Sequence, residues 1–146
     1  IVVHTYGEAS DADVRVAEID LTGSGVSFEV VSRGRRHGRV TLRQPGRHNA
    51  LNAAAAFTAG LGLGFAGGEL LDGLAGFTGT RRRFELKGYA GGVSVYDDYA
   101  HHPTEVAAVL TAARPLAGDG RVVAVFQPHL FSRTRIFAKR ISRARE

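Results

Sequence analysis

The sequence predicts an α/β chain in two parts: a small antiparallel sheet with helices, then strands and helices in alternation. Three observations predict it. Runs rich in β-branched residues fill positions 13–43, an Ala-rich stretch follows at 49–63, and from position 82 strand-like and helix-like segments alternate.

Residues 13–20 (VRVAEIDL) and 25–32 (GVSFEVVS) are bounded by Gly, Asp and Ser and read as strands. Residues 38–43 (GRVTLR) alternate, with Val40 and Leu42 on one face, and the Gly and Arg cluster at 33–39 reads as a hairpin turn. Pro45-Gly46 then breaks the chain. Residues 49–63 (NALNAAAAFTAGLGL) read as a helix, with Asn49 as its N-cap, because Ala is the best helix former and Asn caps well. A second helix covers about 68–75 and ends near Gly76.

Strand candidates at 82–87 and 92–97 precede a helix at 103–113, a buried-type strand at 121–126 (RVVAVF) and a helix from about 132. This alternation argues for βαβ units on a parallel sheet, and a boundary near Gly79-Thr80 divides the chain into residues 1–80 and 81–146.

Composition narrows the function classes. With 44% hydrophobic and 23% charged residues the chain reads as an ordinary globular protein. The absence of Cys excludes disulfides, thiolate catalysis and Cys-type zinc sites. No apolar run approaches the roughly 18–20 residues of a membrane span, and no charged-then-apolar leader precedes the first strand, so a cytoplasmic chain without membrane contact is expected. The chain contains no Met and opens on Ile1-Val2-Val3, which reads as an internal fragment. The net charge of +5 suits an anionic partner. No basic helix with interleaved aromatics and no zinc-finger spacing is visible, which argues against nucleic acid.

Four segments carry candidate chemistry. Asp97-Asp98-Tyr99-Ala100-His101-His102-Pro103-Thr104-Glu105 sits where a strand ends and a helix begins, the place where open α/β sheets bind ligands. Pro103 suits the first helical position and Glu105 the third, so those two have a structural explanation. The acids and histidines beside them do not. Adjacent histidines in an extended segment point to opposite faces and make a poor metal chelate.

Phe126-Gln127-Pro128-His129-Leu130-Phe131-Ser132-Arg133-Thr134-Arg135 also follows a strand and opens a helix. Arg133 and Arg135 lie near the helix N-terminus, where the dipole disfavours cations, and this argues for a bound anion over a solvated face. Arg81-Arg82-Arg83-Phe84-Glu85 lies at the boundary and reads by itself as a surface charge run. In His48-Asn49-Ala50-Leu51-Asn52-Ala53, capping explains Asn49 but not Asn52, whose amide could read an adenine edge.

Standing in this order as HNALNA, RRRFE, DDYAHHPTE and FQPHLFSRTR, the four segments resemble the Mur ligases, and within them the enzymes that join L-alanine to UDP-N-acetylmuramate. HNxLNA and RRF are shared widely in that family, whereas DDYAHHPTE and FQPHxxSRTR are narrower. The resemblance covers roughly residues 1–137. It implies that residues 1–80 are the C-terminal part of a central ATPase domain. Residues 81–146 would be the beginning of a Rossmann-like C-terminal domain.

The implied reaction is ATP-dependent: ATP phosphorylates the muramate carboxylate to an acyl phosphate, which the L-alanine amine attacks. The resemblance assigns Asn52, Arg83 and Asp98 to ATP. It assigns Tyr99, His102, His129, Arg133 and Arg135 to the L-alanine and intermediate site, with His102, His129 and Arg133 as catalytic candidates. Mg2+ is implied as well. The sequence departs from the family in having no Gly-Lys pair, so it lacks the phosphate loop, and the Mg2+ ligands are expected outside this chain. The tail after Phe137 also departs from the pattern. A sister ligase that recycles the cell-wall tripeptide shares a similar HHP turn. From a different class, the Arg richness at 33–47 and 133–145 motivates a non-catalytic anion- or nucleic-acid-binding module.

Overall fold

The structure, a computed structural model, describes residues 3–21, 25–128 and 130–143, and the side chains of all of these but Arg133 and residues 141–143. The chain forms two compact units, Ile1–Thr78 and Gly79–Glu146.

The first unit is built on a four-stranded sheet in the order β1 (Tyr6–Gly7), β2 (Val14–Asp20), β3 (Val26–Ser32), β4 (Arg35–Leu42). The last three run antiparallel as expected, and β1 adds a short parallel edge, Tyr6 opposite Val14. A clasp holds that edge: the Thr5 backbone N–H and hydroxyl donate to the Asp13 carboxylate at 2.8 and 2.9 Å. These bonds from Thr5 hold the Asp13 carboxyl below its usual range.

The hairpin between β3 and β4 is tighter than the sequence suggested. Its turn is Arg33-Gly34 alone, with φ of 48° and 76°, as a two-residue turn matched to strand twist requires. The register slips between Val30 and Val31, where His37 is the extra residue of β4. This bulge brings the His37 ring inward, edge-on to Phe57 at 5.1 Å, with Nε2 2.6 Å from the Ser32 hydroxyl. Burial, reinforced by the Arg35 charge, pushes the His37 imidazole below its usual pKa.

Helix α1 (Arg47–Gly62) starts two residues earlier than predicted, and Asn49 is not its N-cap. Gly46 takes that position at φ 104°, a conformation that disfavours side chains, while the Asn49 amide donates to the Pro45 carbonyl at 2.8 Å. Ala50, Ala53, Ala54 and Phe57 line the buried face of α1 against Val14, Val16, Val26, Phe28, Val30, Val40 and Leu42 of the sheet. The small alanines allow close approach, and Phe28 and Phe57 fill the centre. Helix α2 (Gly67–Ala75) adds Leu70, Leu71 and Leu74 to the rim of this core.

In the second unit β5 (Glu85–Ala90) and β6 (Val93–Asp97) form an antiparallel hairpin about Gly91-Gly92, both at positive φ. Helix α3 (Pro103–Ala117) and helix α4 (Phe131–Arg143) follow. The expected strand at 121–126 does not form: residues 121–128 carry no regular structure, and Val123 and Val125 are 78% and 95% exposed. A buried parallel strand needs hydrogen-bonding neighbours. The β5–β6 hairpin pairs only with itself, so the expected parallel βαβ pairing is absent among the described residues. No helix among the described residues is long and apolar enough to cross a membrane.

Candidate functional site

The turn between β6 and α3 gathers three candidate side chains of the second unit, Asp98, Tyr99 and His102. Asp98 organises its first half. One carboxylate oxygen accepts the Phe84 N–H at 2.8 Å and the other accepts the Ala100 N–H at 2.7 Å. The carboxylate therefore ties the end of β6 to the residue before β5. Further lone pairs of the same oxygens remain available.

Glu105 organises the second half. Its carboxylate accepts the backbone N–H groups of His101 and His102, both at 3.1 Å. His102 is the N-cap of α3 and Pro103 occupies the first turn, so the helix start is closed by a reciprocal cap. Burial alone would raise the Glu105 carboxyl, but the two amides, with the charges of His101 and Arg83, bring it below its ordinary value.

Hydrogen bonding fixes the two adjacent imidazoles differently. The Nδ1 of His101 lies 3.0 Å from the Tyr99 carbonyl oxygen. A carbonyl only accepts, so in the neutral ring Nδ1 carries the proton and Nε2 keeps its lone pair. The Glu105 carboxylate stands 3.6 Å from the same Nδ1. In His102 the order is reversed: Nδ1 accepts the Thr104 N–H at 3.3 Å, so the neutral ring carries its proton on Nε2. His101 thus offers a base, and His102 offers a hydrogen-bond donor. Sequence reasoning singled out His102 and passed over His101. Glu105 in the third helical position was a readable cue, but the Tyr99 carbonyl contact was not.

The RRRF segment is laced to the same turn. The Tyr99 N–H donates to the Arg82 carbonyl at 2.8 Å, and the Arg82 guanidinium lies 4.6 Å from the Tyr99 ring centroid. Phe84 stacks on Tyr96 at 4.6 Å. Arg83 is exposed, and its charge acts on Glu105. On α4, Phe137 packs edge-on to His102 at 4.9 Å, which places that helix beside the turn. Arg135 is exposed on α4. His129 lies outside the described residues, as does the side chain of Arg133. Asn52 belongs to the first unit, exposed on the second turn of α1. Among the described residues no three acidic or imidazole groups converge as a metal site would require.

Comparison with known proteins bears on this arrangement. Residues 1–60 match the Mur ligase middle domain and residues 82–145 match the Mur ligase glutamate ligase domain. The UDP-N-acetylmuramate–L-alanine ligase of Kineococcus radiotolerans is 56% identical over 142 residues, which is 97% of this chain and 30% of that protein. The UDP-N-acetylmuramate–alanine ligase structure from Thermotoga maritima superposes with a TM-score of 0.79 at 27% identity, over 97% of this chain and 31% of the other. The murein peptide ligase of Psychrobacter arcticus superposes at 0.61 with 30% identity, over 86% of this chain and 26% of the other. The chain therefore spans about a third of the length of the proteins it matches.

Proposed function

The chain belongs to the Mur ligase family, and on that premise we propose that it is a segment of a cytoplasmic ATP-dependent ligase. This enzyme joins L-alanine to UDP-N-acetylmuramate through an acyl phosphate, in peptidoglycan precursor synthesis. Residues 1–80 are then the end of the central ATPase domain, and residues 81–146 the start of the C-terminal domain. The observation that carries the reading is 56% identity over 97% of this chain to a relative of that name. Relatives 53% and 56% identical carry the same name, which favours alanine over a recycled peptide as the amine.

In this reading Asn52 meets the adenine, Arg83 pairs with ATP phosphate, and Asp98 offers its remaining lone pairs to a ribose hydroxyl. Tyr99, His102, His129, Arg133 and Arg135 line the L-alanine and intermediate site, with His129 and Arg133 contacting the reacting groups. His101 joins them. Its Nε2 lone pair can take a proton from the alanine ammonium, while the Nε2–H of His102 donates to a developing oxyanion. Catalysis by such a site is mostly positioning and charge neutralisation. Magnesium would enter with the ATP phosphates and take its protein ligands from the rest of the central domain; no group of three acidic or imidazole side chains gathers for it among the described residues.

The test is to express the full reading frame that contains this segment and measure ADP release with UDP-N-acetylmuramate and L-alanine. L-alanine-dependent turnover in the ordinary range of ~1–10³ s⁻¹ is expected, with none from residues 1–146 alone. Release that responds to a cell-wall tripeptide but not to L-alanine would assign the recycling ligase. Salt-steep binding to DNA without ADP release would assign an anion-binding module.

A further inference from the structure

We propose that Arg82 is a positioning residue of the L-alanine site, holding the Tyr99 ring and, through Tyr99, the His101 imidazole. The inference rests on the ligase reading above.

Three consecutive arginines ordinarily form a solvated face. The backbone here is not that of a relaxed surface loop. Arg82 and Phe84 both lie in the left-handed region, at φ 59° and 50°. This region is disfavoured for any residue but glycine, so the surroundings must hold both residues in place. They do so by main-chain contacts. The Arg82 N–H donates to the Glu85 carboxylate at 2.9 Å, the Phe84 N–H to Asp98 at 2.8 Å, and the Tyr99 N–H to the Arg82 carbonyl at 2.8 Å.

The strained backbone aims the Arg82 side chain back over the turn. Its Nε lies 3.6 Å from the Asp97 carboxylate, and its guanidinium carbon lies 4.6 Å from the Tyr99 ring centroid. The Tyr99 ring in turn stands 5.3 Å from the His101 ring, and the Tyr99 carbonyl accepts the His101 Nδ1–H. Arg82, Tyr99, His101 and Glu105 therefore form one continuous chain of contacts. Arg82 reaches the His101 ring through Tyr99. The main-chain bonds do not involve the Arg82 side chain, so its removal takes away the cation–π contact on the Tyr99 ring without undoing the turn.

The experiment is steady-state kinetics of the full-length enzyme with L-alanine and ATP varied separately. Arg82→Ala should raise KM for L-alanine roughly 3- to 30-fold, the loss of one cation–π contact and one exposed ion pair, with KM for ATP and the melting temperature unchanged. Arg82→Lys should recover only part of this, because an ammonium keeps the charge but not the planar stack. Should Arg82→Ala misfold, Arg82→Gln takes its place in the same assay. An unchanged KM for L-alanine in Arg82→Ala or Arg82→Gln, with Arg135→Ala still impaired, would overturn the positioning role and leave the ligase assignment standing. Equal losses for both substrates and a lowered melting temperature would mean a structural role only. Absence of any L-alanine-dependent ADP release from the wild type would remove the ligase reading, and this proposal with it.

Discussion

The Nδ1–H of His101 donates to the Tyr99 carbonyl oxygen across 3.0 Å, and that bond decides which nitrogen of the ring is free to react. The next residue, His102, has the opposite arrangement, since its Nδ1 accepts the Thr104 N–H. Long-range proton–nitrogen NMR spectra of the chain, recorded with the imidazoles deprotonated, should therefore show two different neutral tautomers, Nδ1–H for His101 and Nε2–H for His102. The same tautomer on both rings would remove the division into base and donor.

Glu105→Ala should destabilise the start of α3 by about 0.5–2 kcal/mol, because two backbone amides lose their acceptor. The effect should depend on pH. The Glu105 carboxyl is held below its ordinary value of 4.5, despite burial, by the amides of His101 and His102. A depressed carboxylate contributes its full stability above the unfolded value and loses it as pH falls through the folded one. Denaturant melts of wild type and variant should differ at pH 7 and converge in acid, as pH falls below the ordinary 4.5 and through the lowered folded value. A gap of constant size down to acid pH would show that the carboxylate charge has no part in the cap.

His37 should make the first unit sensitive to mild acid. Its imidazole is pushed below the ordinary 6.5 by burial and then by Arg35. The folded state therefore binds the proton less readily than the unfolded chain. Stability should fall as pH drops below about 6.5, until the folded ring also titrates. His37→Gln should flatten that dependence. Gly67→Ala offers an independent check, because an added Cβ would run into the His37 ring. A loss of about 1–3 kcal/mol is expected, from overpacking at a site with no room. Wild-type stability in Gly67→Ala would mean that α2 does not rest on His37.

Arg135→Ala in the full-length enzyme should weaken the use of L-alanine roughly 10- to 150-fold, the loss of one charge-assisted contact, and largely spare ATP. A rise in KM identifies the alanine carboxylate as its partner, whereas a fall in kcat at constant KM identifies the transferring phosphate. Unchanged constants would make Arg135 a solvated surface residue.

Much of the fold was legible because short-range rules dictate it. The alternation of Val40 and Leu42, the alanines of α1, and the Pro103 and Glu105 pair at the start of α3 each act over a few neighbouring residues, and each stands where the pattern implied. The motifs DDYAHHPTE and FQPHLFSRTR, read as strings of residue types, pointed to the ligase family. Other features depend on partners distant in the chain. The parallel edge at Tyr6 and the bulge at His37 arise from pairing and packing that no local pattern encodes. The run at 121–126 has the composition of a buried strand, but no neighbour pairs with it, and β propensity without a partner does not make a sheet. The tautomers of His101 and His102 were out of reach for the same reason. The sequence determined that two imidazoles stand at a strand-to-helix turn. Only the tertiary structure, by setting the Tyr99 carbonyl against one ring and the Thr104 amide against the other, decided which carries a lone pair and which a proton.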